Sequence, residues 1–210
     1  MTELTRMKTA LPTLILTLAL GAAAAAAPLT FDFKDPKGVN NAVFKLDAPL
    51  EAINGSANGV SGTVTFDPAN PAATMGRIMI ATASMHVPNA MMKDHLQSEQ
   101  WMDVAKFPEI TFQAKQLKNV KTAGDTTTAD AAGTLTIRGV TKDVTIPVKL
   151  TYLKDKLALR VPNQKGDLLV IRASFPIQRA DYGINPGAPK DKVSETIDLT
   201  LSIAGAAPQK

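Results

Sequence analysis

Apolar and polar residues alternate with a period of two along most of the chain from Leu29 to Ile203, the signature of strands that are wet on one face. Phe31 and Phe33, then Phe44 and Leu46, point one way, while Asp32, Lys34, Lys45 and Asp47 point the other. The same alternation pairs Val64 with Phe66, Ile78 with Ile80, and Ile110 with Phe112 and Ala114. It resumes at Leu135 and Ile137, at Val144, Ile146, Val148 and Leu150, at Leu169, Ile171, Ala173 and Phe175, and at Ile197, Leu199, Leu201 and Ile203.

Turn chemistry punctuates these runs at Asn54-Gly55, Asn58-Gly59, Asp67-Pro68, Gly139 and Asn185-Pro186-Gly187. Many regularly spaced strands in one stretch of chain predict an all-β, antiparallel sandwich or barrel, since a parallel sheet needs helices between its strands. One segment, residues 89–103, reads as a short helix, with Met91, Met92, His95, Leu96 and Trp101 toward a common face. Residues 121–132, rich in Thr, Ala and Asp, read as a loose hairpin end.

The first residues follow a different pattern. Arg6 and Lys8 precede a short apolar core from Ala10 to Leu20, and the alanine run from Ala22 to Ala27 offers the small residues that a signal peptidase requires. The apolar core is about half the roughly 20 residues a membrane-crossing helix needs. Residues 1–27 are therefore expected to be a cleaved signal peptide, with the cut inside the alanine run, and residues 28–210 one exported domain. A periplasmic location follows, with no transmembrane anchor after cleavage. Removing 27 of the 210 residues leaves 183, enough for a substantial core.

Composition narrows the chemistry. Cysteine is absent, which excludes disulfides, thiolate metal sites and cysteine nucleophiles. Losing Glu3, Arg6 and Lys8 with the leader leaves 21 basic and 18 acidic residues, interspersed without a basic block, so nucleic-acid binding has little support. The two histidines, His86 and His95, lie nine residues apart and lack the further His or Cys ligands of a zinc site, so no metal site is assigned. No serine sits in a nucleophile elbow and no glycine-rich phosphate loop precedes a helix, so no catalytic residue is assigned. The segment from Met92 to Phe112 reads as a helix, the bulky plugs Trp101 and Phe107, and a Pro-punctuated entry into a strand. The default for that pattern is an ordinary core-packing helix, and the alternative is a lid over one end of a barrel.

Four blocks carry a family resemblance: Gly62 to Pro68 (GTVTFDP), Asp94 to Phe112, Gly133 to Val144 (GTLTIRGVTKDV), and Arg179 to Ile184 (RADYGI) followed by Val193 to Ile197 (VSETI). In their order and spacing the chain resembles the YceI-like family of exported lipid-binding proteins. It departs from that pattern at Trp101-Met102, where an aromatic pair is usual, and in the Gly- and Asn-rich segment from Asn54 to Gly59. The resemblance implies an eight-stranded, lipocalin-like antiparallel β-barrel whose cavity holds an isoprenoid lipid, either a polyprenyl chain or an isoprenoid quinone. No other cofactor is implied.

With the apolar parity facing inward, the expected ligand-binding residues are Phe31, Phe33, Phe44, Phe66, Phe112, Ile137, Ile146, Ile171, Phe175 and Leu199, with His95 and Trp101 near the mouth. The leading expectation is a non-enzymatic carrier or sequestering protein, with a homodimer left open. Two alternatives remain: an accessory enzyme or redox partner acting on a bound quinone near Asp94 and His95, and a bilayer-embedded barrel. The second would need aromatic girdles, and the whole chain holds 7 Phe, 2 Tyr and 1 Trp.

Overall fold

The computed structural model describes residues 27–209; the expected signal peptide lies almost wholly outside them. The described chain forms eleven antiparallel segments, nine of them on the alternating runs and two, β3 and β6, outside them: β1 (Leu29–Asp32), β2 (Asn41–Asp47), β3 (Ala52–Ala57), β4 (Val60–Phe66), β5 (Met75–Ala81), β6 (Met85–His86), β7 (Glu109–Ala123), β8 (Thr126–Ile137), β9 (Val140–Leu153), β10 (Gly166–Gln178) and β11 (Thr196–Pro208). Eight of them, in the order β1-β4-β5-β7-β8-β9-β10-β11, close on themselves through the pairing of Asp32 with Ala206. The remaining three extend the same wall: β2 pairs with β11, β3 with β2, and β6 with β3. The wall is thus an eight-stranded barrel in which three strands are broken, β1 from β2, β3 from β4, and β5 from β6. Among the described residues no helix is long and apolar enough to cross a membrane.

The helix α1 (Ala90–Gln97) is shorter than the predicted span of 89–103. Asn89 caps it by accepting the Met92 N–H, and at Ser98 the backbone turns extended. From there to Phe107 the chain runs in turns, with Asp103 in the left-handed region and its carbonyl accepting from Lys106 and Phe107. Asn54-Gly55 is not a turn. Both residues lie within β3, where Gly55 stands opposite Phe44, and a Cβ there would come within 2.1 Å of the Phe44 ring. Residues 121–132 form no loose end: β7 and β8 pair up to a two-residue turn at Gly124-Asp125. The turn at Arg138-Gly139 is as expected, with φ of 50° and 75° joining β8 to β9.

The break between β1 and β2 is held by side chains rather than by ladder bonds. Asp35 accepts backbone N–H bonds from Lys37, Val39 and Asn40 and pairs with Arg160 at 3.0 Å. Burial by itself would raise the Asp35 carboxyl, but those N–H bonds and the Arg160 charge outweigh it and hold it below the usual aspartate range. A group with a lowered native pKa contributes stability above its unfolded pKa and loses it as pH falls through the native one. The stability advantage of the wild-type chain over Asp35→Asn is therefore expected to be full at neutral pH and to vanish as pH falls through that lowered value. Urea unfolding of both proteins across the acid range measures it.

Candidate functional site

Inward-facing side chains form two clusters. At one end Phe31, Phe33 and Phe66 pack with Leu169 and Ile203 and are almost wholly buried. Tyr152 stacks edge-on against Phe31 and tilted against Phe66, with ring centroids 6.3 and 5.7 Å apart, and its hydroxyl donates to Asp167 at 2.7 Å. Burial, then the Asp167 hydrogen bond, push the Tyr152 hydroxyl well above its ordinary pKa, so it stays protonated as the donor. This end of the barrel is plugged.

The interior above the plug is a cavity of about 380 Å³, within the range of roughly 300–1,000 Å³ typical of small-molecule sites. Its walls are apolar apart from Glu51, Thr74, His95, Arg179 and Thr200. Small side chains leave room in the wall: Ala114 on β7, Ala131 on β8 and Ala173 on β10 face the space that a larger residue would fill. At the opposite end from the plug, Met92, His95 and Leu96 of α1 line the cavity together with Trp101 and Met102, so α1 covers the mouth. Met91, expected on the same helix face, is 69% exposed and does not line it.

Of the sequence-predicted residues, Phe44, His95, Trp101, Phe112, Ile137, Ile146, Ile171, Phe175 and Leu199 all lie on the cavity. Phe31, Phe33 and Phe66 do not; they form the plug. Alternation reports which face of a strand is inside, and all three are inside, but it carries no information on depth along the barrel axis. Asp94 and His86 are exposed, and among the described residues no group of three or more His, Asp or Glu side chains is placed to hold a metal ion.

Arg179 is the residue that sequence reading missed. It follows β10, lines the cavity beside Trp101, and is fully buried. Its guanidinium donates to the carbonyls of Ile184, Asn185 and Ser194, and Nη2 lies 3.5 Å from the Glu195 carboxylate. The Ala180 N–H outweighs burial and, with Arg179 and Lys190, holds Glu195 below the ordinary glutamate range. Arg179 also stands 5.8 Å from the Trp101 ring centroid, a cation–π contact. A second arginine, Arg138, donates to the carbonyls of Glu99 and Gly183. It ties the turns after α1 to the connection between β10 and β11. The only sequence signal for Arg179 was its place at the head of the RADYGI block.

The family model for the YceI-like domain matches residues 28–205, nearly all of the described chain. The chain belongs to the YceI-like family. It is 32% identical over 153 residues to a UPF0312 protein of an Enterobacter species, strain 638, an alignment that covers 73% of each chain. Solved structures share the YceI-like fold. BcnA of Burkholderia cenocepacia superposes with a TM-score of 0.63 at 21% identity, over 79% of this chain and 95% of that one. A structure described as a polyisoprenoid binding domain from Saccharophagus degradans, implicated in plant cell wall breakdown, gives 0.62 at 12% identity, over 87% and 100%. The YceI-like barrel here is the closed, antiparallel, eight-stranded form that the resemblance implied, and among the described residues α1 is its one α-helix.

Proposed function

We propose that this YceI-like protein is a periplasmic carrier or sequestering protein that holds the apolar chain of an isoprenoid lipid, a polyprenyl lipid or an isoprenoid quinone, in its barrel. The carrying observation is the cavity itself: apolar along its walls but for Glu51, Thr74 and Thr200, plugged at one end, and provided with Arg179 and His95 at the other. An apolar chain with a polar head fits that gradient. Burying a methylene is worth roughly 0.8 kcal/mol, so about 15 of them contribute on the order of 12 kcal/mol before immobilisation costs. The same term makes such a lipid nearly insoluble in water, which gives a soluble carrier its purpose. The fold-level likeness to a domain described as polyisoprenoid-binding supports the reading.

The test is organic extraction and native mass spectrometry of the protein purified from the periplasm of its own bacterium, after osmotic shock without detergent. The expected result is detergent-free release with one isoprenoid per chain. A ligand-free protein with no affinity for prenyl chains overturns the reading. Trp101, the only tryptophan and part of the cavity wall, supplies a second readout. A decyl-substituted benzoquinone is expected to quench its fluorescence, and Ala131→Phe, which fills the cavity, is expected to weaken that binding about tenfold or more.

A further inference from the structure

The barrel wall is unpaired along half of one seam. β9 and β10 pair from Leu153 with Leu168 to Val148 with Ala173, and there the ladder stops. Beyond that rung β9 continues back to Val140, still paired with β8, and β10 continues to Gln178, still paired with β11. Continued in register, Ser174 would stand opposite Pro147, and Pro176 opposite Thr145. Proline has no N–H to give a ladder and belongs at sheet edges and bulges. One proline on each side of the seam thus accompanies two strand edges that do not join.

The seam leads inside. Val148 and Ala173, its last rung, line both the internal cavity and an outer groove, as do Thr200 and Leu201. Behind the unpaired stretch stand Ile146, Phe175 and Ile177, which line the cavity, and Val144, which packs into the cluster at the mouth end. Rotating such side chains breaks no backbone hydrogen bond, whereas passage through a paired seam would break several. The outer groove is also charged: Lys121, Lys149 and Arg172 line it with a single carboxylate, Asp130, and Asp130 accepts from Asn119. None of those three cations is in an ion pair among the described residues.

We propose that the split between β9 and β10 is a lateral portal through which the ligand's apolar chain exchanges between the cavity and an anionic lipid surface seated in the Lys121–Lys149–Arg172 groove. This rests on the carrier reading above. It makes α1 a cover for the mouth rather than the entrance, and it lets a chain slide sideways out of a lipid layer without crossing water.

The chain has no cysteine, so a pair of introduced thiols is unique. Thr145→Cys and Pro176→Cys, bridged by a short bis-maleimide, clamp the seam. Asp143→Cys with Gln178→Cys, two residues nearer the mouth, does the same with both prolines in place. Loading is followed by Trp101 quenching when protein is mixed with phosphatidylglycerol vesicles carrying the decyl-substituted benzoquinone. Both clamped proteins are expected to load about tenfold or more slowly than their uncrosslinked forms, with the same final quenching. Loading at the unclamped rate overturns the portal and makes the α1 mouth the route. Lys121→Glu with Lys149→Glu is expected to slow loading from these vesicles but not from neutral phosphatidylcholine ones, and equal rates from both overturn the anionic surface. No quenching in the wild-type chain even at equilibrium would sink the carrier reading itself, and the portal with it.

Discussion

Arg179→Leu is expected to lower the unfolding free energy by about 3 kcal/mol, since each backbone carbonyl that loses its donor in the interior costs about 1–3 kcal/mol. The physical reason lies in what stays behind. Leucine matches the apolar neighbours of the cavity mouth but leaves the carbonyls of Ile184, Asn185 and Ser194 without the donor they share, and Glu195 without its buried cation. Those carbonyls belong to the connection from β10 to β11 that wraps the mouth, so the loss is felt as loosening of that connection. Urea unfolding measures the total. Glu195 keeps the Ala180 N–H and Lys190 at 3.6 Å, so adding Glu195→Gln to Arg179→Leu is expected to change little more, and a double-mutant cycle reads the coupling between the two side chains directly. Trp101 emission is expected to shift in the native state of Arg179→Leu, because the guanidinium 5.8 Å from its ring is gone. An Arg179→Leu protein as stable as wild type would show that the buried guanidinium does not organise the mouth.

Asn40→Ala is expected to cost about 3 kcal/mol, since each buried group left without a partner loses about 1–3 kcal/mol. Asn40 is fully buried, and its side chain uses both amide hydrogens and accepts twice at its oxygen. Nδ2 donates to the carbonyls of Phe33 and Ala204 at 3.0 and 3.1 Å, and Oδ1 accepts from the Ala204 N–H at 2.9 Å and from Arg160 at 3.0 Å. Between Ser202 and Ala206, β11 changes neighbours from β2 to β1, and the Asn40 amide takes the place of a strand there. Chemical denaturation reads the energy, and hydrogen exchange locates it. The Ala204 amide is expected to lose protection selectively, and unchanged protection there would contradict the role.

Much of the barrel was legible because period-two alternation is a local signal: whether Ile146 or Phe175 faces inward depends only on its place in its own strand. The helix was legible for the same reason, although its end was not. Ser98 stops α1 by turning extended, and nothing in the 3.6-residue spacing beyond it marks the stop. Asn54-Gly55 misled because the dipeptide that favours a turn also suits a strand position pressed against an aromatic ring. Phe44, eleven residues before Gly55, supplied that ring.

The candidate site divides along the same line. Nine of the twelve expected ligand-binding residues lie on the cavity, and the three phenylalanines of the plug do not. Whether an inward residue plugs or lines depends on its level in the barrel, which the register of closure between β1 and β11 sets. Arg179 is a long-range case: its partners come from loops that only the closed fold brings around it.

Taken alone, the amino-acid sequence determined the all-β class, the inward and outward faces of most strands, the absence of thiol chemistry and, through four motif blocks, the family resemblance. Each of these is written in composition or in spacings of a few residues. Tertiary structure decided which end is plugged, where the cavity lies, what neutralises Arg179 and where β9 parts from β10. Those depend on residues dozens of positions apart meeting at one level of a closed wall, and hydrophobic periodicity, which is blind to register between distant strands, carries no record of it.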